Sequence, residues 1–365
     1  YEDQGKTLMV LSLEAPWQAK EELVVELNYE ITIPHCAHLF GYNNGFFQLG
    51  NVLVERATYE NGQWRKEEYY PIGDPFYTQC ANYDVTINVP KEYTVASSGY
   101  GVQRETEEQL LQYQITAPGT RNFGFTISNQ YQIAQKKVGA TLVTSYALEQ
   151  KEAEKALQFG EKALTCFENL YGAYPYQQLT ISQVDFPFGG MEFSGLVMIA
   201  KEMYLKDQVL EQVVAHEVAH QWWYGVVGSD QYYQPWQDEA LCEYSYLQYI
   251  KYFYGEQAKN DLIQSTIYTA MRITIPQGVT PGSPLDYFDR FSEYDMVVYK
   301  RGAMLFLALE EALGEEQFQT FLRDYYQEYA FKLVSRQEFE DFLRKNTGED
   351  WQALFTDYLD TEYRY

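Results

Sequence analysis

The sequence has few basic residues, few histidines and no long apolar run. Lysine and arginine together number 27 against 52 aspartates and glutamates, which leaves a formal net charge of −25. Nucleic-acid binding draws its affinity from clustered lysine and arginine, so this balance argues against a nucleic-acid partner. No apolar stretch approaches the length needed to cross a bilayer, and we therefore expect no transmembrane segment in this chain.

Cysteine is scarce as well. The four cysteines (Cys36, Cys80, Cys166 and Cys242) have neither the density nor the spacing of a disulfide framework or a structural zinc site, which leaves the redox compartment open. The sequence begins at Tyr1 without an initiator methionine or a signal-like apolar stretch. This start indicates that an N-terminal segment was processed or left out, and an extracellular or bacterial cell-surface location is slightly favoured over the cytoplasm.

The remaining composition is that of an ordinary globular protein. The 365 residues are 46% hydrophobic and 22% charged, so the chain can bury a large core and form about two domains. An acidic surface supports solubility, and peptides remain acceptable ligands for it.

Two of the four histidines lie close together in residues 213–243, which read VVAHEVAHQWWYGVVGSDQYYQPWQDEALCE. On a helix of about 3.6 residues per turn, His216 and His220 project from one face with Glu217 between them. A catalytic zinc ion takes three protein ligands and keeps a fourth position open, so one more donor is needed. Glu239, on the next predicted helix, is the natural candidate. The segment therefore predicts one zinc ion per chain, held by these two histidines and Glu239, with Glu217 as general base.

The neighbouring acidic residue and the other two histidines have less definite roles. Glu243 follows Glu239 by one helical turn. Its carboxylate either accepts the second ring N–H of a zinc-bound histidine or lies on a solvated helix face. His35 and His38 flank Cys36, but they follow a strand and precede a turn with no further ligands nearby, which favours a structural role.

The first part of the chain, to about residue 128, has the short alternating pattern of β-strands. The segments with this pattern include LVVELNYEITI, YDVTINV, YTVASSG and QLLQYQIT. Turn sequences separate them at Asn43-Asn44-Gly45, Asn61-Gly62, Pro71-Ile72-Gly73-Asp74-Pro75 and Pro118-Gly119. We therefore predict an N-terminal β-sheet domain over residues 1–129.

The pattern becomes helical from about residue 151, where KEAEKALQFGEKALTCFENLYG predicts a helix that ends at Gly172. Two strand-like pieces, QLTISQVDF and GLVMIA, follow and predict a small sheet beside the zinc site. The zinc helix is predicted from about Asp207 to Gly225. Most of the later sequence is helical in pattern, including a segment opened by the capping-box sequence SRQE. The class is therefore α+β, with a mostly helical zinc peptidase domain over residues 130–365.

The motifs resemble those of the gluzincin zinc aminopeptidases typified by aminopeptidase N and leukotriene hydrolase, over most of the chain. That family combines a G-x-M-E-N segment, an H-E-x-x-H motif with a later glutamate ligand, and a Y-x-K-G segment. Residues 190–192 match the first motif in the run FPFGGMEFSGLVMI, although Phe193 replaces its asparagine. The predicted ligands have the family spacing, while Asp238 and Ala240 replace the residues that commonly flank the last ligand.

The resemblance also implies roles for individual residues. Glu192 would hold the free α-amino group of a substrate, and Tyr299, in the sequence YKRG, would stabilise the oxyanion. Arg301 stands where lysine is usual, and Tyr294 falls where leukotriene hydrolase has a second active-site tyrosine. The implied architecture is a saddle-like sheet domain followed by a thermolysin-like catalytic domain. The helical C-terminal domain usual in the family is missing from this chain, so a removed domain or a partner would cover the site.

These residues predict an aminopeptidase that hydrolyses the first bond of peptides with a free N-terminus. Water bound to such a zinc ion has a pKa of about 7, and Glu217 would take its proton. Zinc and Tyr299 would stabilise the oxyanion before Glu217 passes the proton to the leaving amine. Glu192 would set the register, and the backbone of Gly189 and Gly190 would pair with the substrate as an added strand.

Other functions remain open at this point. A thermolysin-like endopeptidase would share the zinc chemistry but lack the amino-terminal anchor, and its cleavage of blocked peptides would distinguish it. A non-catalytic scaffold would keep the fold for protein binding, and its metal content would distinguish it. Epoxide hydrolysis would use the same site, but nothing in the sequence points to a lipid pocket.

Overall fold

A computed structural model of the protein describes residues 2–4, 7–66 and 69–362. Strands and loops make up its first part. The strands are β1 (Glu2–Gln4), β2 (Leu8–Val10), β3 (Phe40–Asn43), β4 (Phe46–Leu49), β5 (Tyr59–Glu60), β6 (Gln63–Trp64), β7 (Ala81–Pro90), β8 (Thr94–Ser97), β9 (Tyr100–Glu105), β10 (Leu110–Thr120) and β11 (Phe125–Ser128). They form two antiparallel sheets, in the orders β7-β10-β9 and β3-β4-β11-β8, and two hairpins, β1-β2 and β5-β6.

The strands predicted from YDVTINV, YTVASSG and QLLQYQIT are confirmed as β7, β8 and β10. Their inward side chains contribute to an apolar core of the N-terminal sheets that includes Val89, Ile115 and Phe125. Two-residue turns join β3 to β4 and β5 to β6 through Asn44-Gly45 and Asn61-Gly62. All four residues have positive φ, between 47° and 85°, as a tight hairpin turn requires.

One predicted strand is not formed. Residues 23–33, LVVELNYEITI, lie outside the strands, and no strand of the described chain pairs with them. The apolar alternation is present, but Leu23, Val25 and Leu27 remain 38 to 46% exposed. The prediction was wrong because alternation supplies only an apolar face, whereas a strand also needs backbone partners on an adjacent strand.

A mixed sheet opens the second part of the chain and stands beside the candidate site. Its strands are β12 (Gln132–Val138), β13 (Thr141–Ala147), β14 (Gln178–Val184), β15 (Gly190–Met191) and β16 (Leu196–Ala200), in the order β12-β13-β14-β16-β15. Helix α1 (Gln150–Tyr171) connects the parallel strands β13 and β14. Every residue of β14 and β16 is buried, as expected for central strands covered on both faces. The small sheet predicted from QLTISQVDF and GLVMIA is therefore confirmed.

Helices dominate the rest of the chain, and the predicted α+β class is confirmed. They are α2 (Asp207–Ala219), α3 (Glu239–Tyr254), α4 (Glu256–Leu262), α5 (Tyr268–Met271), α6 (Phe291–Tyr294), α7 (Ala303–Leu313), α8 (Glu315–Tyr329), α9 (Arg336–Thr347) and α10 (Gln352–Phe355). Helix α1 ends at the predicted Gly172, and the predicted capping box forms between Ser335 and Glu338 at the start of α9. Among the described residues, no helix is long and apolar enough to cross a membrane.

Helix α2 ends earlier than predicted. It stops at Ala219, and an irregular turn over Gln221–Val226 replaces the expected continuation to Gly225. The turn buries three consecutive aromatic side chains, Trp222, Trp223 and Tyr224, each no more than 1% exposed. Consecutive helical residues point in directions about 100° apart, so a regular helix would not turn all three toward the core.

The predicted domain boundary near residue 130 falls in a short connection between β11 and β12, which belong to different sheets. The division into two domains stays a prediction. Contacts join the two parts of the chain: the buried guanidinium of Arg121 donates hydrogen bonds to the carbonyl oxygens of Tyr224 and Val226, in the turn after α2. This bonding ties the N-terminal sheets to the segment that follows the histidines.

Candidate active site

The three predicted zinc ligands meet where α2 faces α3. His216 lies in the last turn of α2 and His220 directly follows its end, while Glu239 is the first residue of α3. The Nε2 atoms of the two histidines are 3.1 Å apart. Glu239 Oε2 lies 3.2 Å from each of them. The fold therefore brings together the donor atoms that the motif predicted.

This triangle fits a zinc ion in both its chemistry and its size. Asp238 Oδ1 lies 2.5 Å from His220 Nδ1, so the hydrogen bond assigns the ring proton to Nδ1 and leaves a lone pair on Nε2. That lone pair faces a second imidazole and a carboxylate oxygen, which repel one another unless a proton or a cation lies among them. Zinc binds such ligands at about 2.0 to 2.2 Å in a tetrahedral geometry, which separates neighbouring ligand atoms by about 3.3 Å. The observed edges of 3.1 and 3.2 Å match that separation.

Asp238 is a site residue that the sequence interpretation missed. The family comparison of motifs treated it only as a replacement beside the last ligand. It is 1% exposed, and besides holding His220 it accepts a hydrogen bond from the Gln231 amide. Its position directly before Glu239 was the available signal, since buried carboxylates commonly accept the second N–H of a metal-binding histidine.

Glu217 is buried beside the histidines, and its carboxyl group reaches the edge strand β15. A Cβ atom built on Gly190 would lie 2.3 Å from Glu217 Oε1, so only glycine lets the strand pass this close. Burial raises the pKa of Glu217 to about 8; Glu239 and Asp74 add to the rise, while His220 opposes it. A carboxyl group with a pKa near neutrality can both take and return a proton.

Glu192 directly follows β15 and lies next to the predicted ligands. Its carboxylate, the Glu217 carboxylate and a His220 ring nitrogen have ligating atoms within 4.8 Å of one another. The side chain is 3% exposed, and its Oε1 accepts a hydrogen bond of 3.2 Å from Gln231 Nε2. Burial raises the pKa of Glu192 well above its usual value, and the neighbouring carboxyl group of Asp74 raises it further.

Gly189 and Gly190, predicted to pair with the substrate backbone, line a cavity at the edge of the mixed sheet. Strand β15 pairs with β16 on one side and has no strand on the other within the described chain. Gly189 also accepts a hydrogen bond from the backbone N–H of Ala200. An edge of this kind can receive an extended peptide as one more strand.

Tyr299 reaches the predicted ligands from a π-helical segment, Asp295–Arg301, that precedes α7. Its hydroxyl donates a hydrogen bond of 2.5 Å to Glu239 Oε1, and its ring stacks on His216 with centroids 5.5 Å apart. Burial raises the pKa of Tyr299 well above its usual value, so the hydroxyl keeps its proton and remains a donor. Tyr294 is 1% exposed and contacts the Tyr299 ring edge-on at 5.5 Å.

The geometry agrees with neither predicted role of Glu243, as a hydrogen-bond acceptor for a zinc-binding histidine or as part of a solvated helix face. Its Oε2 atom is 3.9 Å from His216 Nδ1, beyond hydrogen-bonding distance, and the residue is 3% exposed rather than solvated. Its Oε1 atom instead accepts a 2.6 Å hydrogen bond from Lys300 Nζ, because a lysine cation binds a buried carboxylate more strongly than a neutral imidazole does. Arg301, the next residue, is buried and donates to the carbonyl oxygen of Ala270.

His35 and His38 belong to none of the candidate metal groups among the described residues. His35 packs against Tyr42 with ring centroids 5.0 Å apart, and His38 contacts Phe188 edge-on at 5.2 Å. These ring contacts agree with the structural role expected for both.

A cavity of about 250 Å³ lies in front of the predicted ligands, with walls from both parts of the chain. Asp74 lines it together with Glu192, although the sequence interpretation saw Asp74 only within a turn. Burial raises the pKa of Asp74 to about 8, and the negative charges of Glu239 and Asp238 raise it as well. The sequence alone could not show that Asp74 and Glu192 line the same cavity, because the loop that carries Asp74 precedes the zinc motif by more than a hundred residues.

An H-E-x-x-H helix faces a second helix that begins with a glutamate, on an α+β scaffold, and this arrangement is typical of metallopeptidases. The Peptidase family M1 domain matches residues 155–358, more than half of the chain, and the chain belongs to that family.

Curated relatives agree with this assignment. The chain is 30% identical to leukotriene A-4 hydrolase of Xenopus laevis over 50% of its length. It is 26% identical to aminopeptidase M1-A of Oryza sativa subsp. japonica over 75% of its length, and 23% identical to endoplasmic reticulum aminopeptidase 2 of Homo sapiens over all of it. These matches cover 31%, 33% and 40% of the three relatives, so the chain spans only about a third to two fifths of their length.

Proposed function

We propose that this protein is a zinc-dependent aminopeptidase that hydrolyses the first bond of peptides with a free N-terminus. The observation that carries the proposal is the short distance between buried Glu192 and the predicted reaction centre, since Glu192, Glu217 and His220 have ligating atoms within 4.8 Å of one another. An ammonium group held by Glu192 has its own residue's carbonyl carbon only two bonds away. That carbonyl would therefore lie beside Glu217.

The metal would be held by His216, His220 and Glu239, whose donor atoms form the triangle described above. A zinc ion there would supply a Lewis acid that polarises the peptide carbonyl and activates water. Asp238 would keep the His220 ring in the tautomer that presents Nε2.

Glu217 would act as the proton carrier of the reaction. It would accept the proton of the attacking water and later deliver it to the amine of the departing peptide. Burial raises the pKa of Glu217, and the positive charge of a bound zinc ion would oppose that rise, so that the carboxylate could take a proton from water and return it. The buried position also keeps bulk water away from the proton during transfer.

Tyr299 would donate its hydroxyl hydrogen bond to the oxygen that gains negative charge in the transition state. In the structure this hydroxyl donates to Glu239 Oε1, at the edge of the ligand triangle. Rotation of the hydroxyl hydrogen about the C–O bond would redirect the donor from the ligand carboxylate to a substrate oxygen, while stacking on His216 keeps the ring in place.

Glu192 would restrict cleavage to the first bond. A charge-assisted hydrogen bond to the ammonium sets the register of the peptide relative to Glu217. The edge of the sheet at Gly189 and Gly190 would bind the extended backbone. The relatives named aminopeptidases support this choice over an endopeptidase.

The test compares a peptide with a free N-terminus with the same peptide acetylated, using the zinc-loaded protein and mass spectrometry of the products. We expect trimming from the first residue of the free peptide and almost no cleavage of the acetylated one. Glu192→Gln keeps the shape but removes the charge, and should lower catalytic efficiency toward the free peptide by about 10- to 100-fold with zinc content unchanged.

Two results would contradict the proposal. Cleavage of internal bonds in the acetylated peptide would make the protein a thermolysin-like endopeptidase. Failure to bind zinc or to cleave either peptide would favour a non-catalytic scaffold.

A further inference from the structure

Gln231 lies between two buried carboxylates of the active site and donates a hydrogen bond to each of them. Its Nε2 atom donates to Glu192 Oε1 at 3.2 Å and to Asp238 Oδ2. The glutamine side chain is itself buried. Glu192 is the proposed anchor of the substrate ammonium, and Asp238 orients the ring of His220. One amide group therefore contacts both the residue that would bind the substrate and the residue that orients a predicted metal ligand.

The chemistry of these contacts determines the orientation of the Gln231 amide. Ionised carboxylates only accept hydrogen bonds, so the two hydrogens of the NH2 group face them. The opposite orientation would place the amide oxygen against both carboxylates, which would repel it. In the observed orientation this buried oxygen forms no hydrogen bond with any described residue. A buried acceptor without a partner is destabilising, so the contribution of this side chain lies in its two donors.

Both oxygens of Asp238 are held by donors. Oδ1 accepts from His220 Nδ1 at 2.5 Å, and Oδ2 accepts from Gln231 Nε2. The carboxylate cannot rotate about its Cβ–Cγ bond without breaking one of these two hydrogen bonds. Gln231 therefore helps to keep the acceptor of His220 in place.

Only one oxygen of Glu192 is held in this way. Oε1 accepts from Gln231, whereas no described residue donates to Oε2. The hydrogen bond limits rotation of the carboxylate and leaves Oε2 for the α-ammonium of a substrate. A group that already has its binding orientation loses less conformational freedom when the ligand arrives.

The loop that carries Gln231 is held by the N-terminal part of the chain. Arg65, which follows β6, binds Asp230 Oδ2 at 2.8 Å, and both side chains are largely buried. The Arg65 guanidinium also lies 5.2 Å from the centre of the Tyr233 ring. Asp230 Oδ1 accepts from the backbone N–H groups of Tyr232 and Tyr233, which closes the loop. Because Gln231 directly follows Asp230, these contacts limit the movement of its backbone.

We propose that Gln231 is a positioning residue, whose amide group holds the Glu192 carboxylate at a fixed place relative to the zinc site. The ion pair between Arg65 and Asp230 holds the loop from which Gln231 acts. The inference rests on the proposed function for the role of Glu192. It links the substrate anchor to the orientation of His220 through a single side chain, and it gives the N-terminal part of the chain a role in the active site.

The test compares two ligands that differ only in an amine: alanine hydroxamate and propanohydroxamate. Both bind zinc through the hydroxamate group, and only the first has an α-ammonium. Their affinities for the zinc-loaded protein are measured by calorimetry. Because both bind the same metal ion, the ratio of the two affinities reports the ammonium contact alone. We expect the unmutated protein to prefer alanine hydroxamate by at least about 10-fold, as a charge-assisted hydrogen bond provides.

Gln231→Met keeps the length of the side chain but removes both donors. It should reduce this preference to less than about threefold. It should also weaken zinc binding by about 2- to 10-fold, measured by competition with a chromogenic chelator, because Asp238 loses one of its two donors. A loss of packing alone would weaken both hydroxamates equally and leave the ratio unchanged.

Two further variants complete the test. Gln237→Met is the matched control, since Gln237 is buried just before α3 but donates to the carbonyl oxygen of Val334. It should leave the preference within about twofold of the unmutated protein. Arg65→Met changes a residue that does not line the cavity, and it should lower the preference by at least about threefold by loosening the loop. Circular dichroism checks the folding of each variant.

The possible results separate the inference from the proposed function. If the unmutated protein prefers alanine hydroxamate and Gln231→Met keeps that preference, the inference is wrong while the proposed function stands. An equal loss in Gln237→Met would assign the effect to packing of the loop and would also overturn the inference. If Gln231→Met does not fold, an unchanged preference in Arg65→Met would decide against it. Equal binding of the two hydroxamates by the unmutated protein would mean that Glu192 anchors no ammonium, and the proposed function would then fail first.

Discussion

Replacing Asp238 with alanine should weaken zinc binding without removing any of the three predicted ligands. Asp238 Oδ1 accepts from His220 Nδ1 at 2.5 Å, and both side chains are almost fully buried. Without this acceptor the His220 ring can rotate or shift its proton to Nε2, and that tautomer cannot bind a metal through Nε2. The buried N–H also loses the acceptor it has in the present structure.

The magnitude follows from the geometry of this contact. A buried hydrogen bond to a charged acceptor contributes about 1.5 to 3 kcal/mol. Loss of a carboxylate that orients a metal-binding histidine typically weakens metal binding by about 10- to 100-fold, which agrees with that range. Asp238→Asn retains an oxygen acceptor at the same position and should weaken zinc binding by less than about 10-fold.

Zinc affinity can be measured by competition with a chromogenic chelator at fixed pH, with circular dichroism of the zinc-free proteins as a check on folding. The expected order of affinity is wild type, then Asp238→Asn, then Asp238→Ala. An alanine variant that binds zinc within about twofold of wild type would refute the reasoning. So would an equal loss in both variants, since the asparagine keeps the acceptor and the alanine does not.

Three further predictions test other parts of the site and the fold. Glu217→Gln should keep its zinc but lower turnover by at least about 100-fold, and substantial activity would refute its role as general base. Tyr299→Phe should lower kcat by about 100- to 1,000-fold with little change in KM, whereas Tyr294→Phe should matter less; a Tyr299 variant within twofold of wild type would assign the oxyanion donor elsewhere. Burial raises the pKa of Glu55 to about 7, so its stabilising contribution is present at low pH and is lost as pH rises through 7. Wild type should therefore lose stability from pH 5 to pH 9, whereas Glu55→Gln should not. The free energy of unfolding of the variant, measured relative to wild type by urea denaturation, should be higher at pH 9 than at pH 5 by about 1 to 3 kcal/mol, and the absence of this change would contradict the raised pKa.

The helices and the predicted zinc ligands could be read from the sequence because their signals are local. The spacing of His216 and His220 follows from the turn of a helix, and α1 ends at Gly172 as its sequence indicates. Glu239 could be predicted as well, since one further donor was required and the next helix supplied an acidic residue at its start. The hairpin turns at Asn44-Gly45 and Asn61-Gly62 were equally local, because they depend on the backbone preferences of those residues.

Other features could not be predicted because they depend on which distant segments meet. Residues 23–33 have the alternation of a strand, yet in the described chain no neighbouring strand is present to receive their backbone hydrogen bonds. The early end of α2 depends on a core that takes up three consecutive aromatic side chains. In both cases the local pattern was read correctly, but the environment that would decide its structure lies elsewhere in the chain.

The sequence by itself determined the chemistry of this protein: two histidines and a glutamate able to hold a metal, a glutamate between the histidines, and an α+β scaffold to carry them. Only the tertiary structure decided how the remaining charges are arranged. It pairs Glu243 with Lys300 instead of a histidine, and it sets Asp238 against His220. It also brings Asp74 from a distant loop into the cavity of Glu192. The physical reason is that a carboxylate's partner is set by distance and burial in space, whereas helix geometry and turn preferences act between residues that are neighbours along the chain.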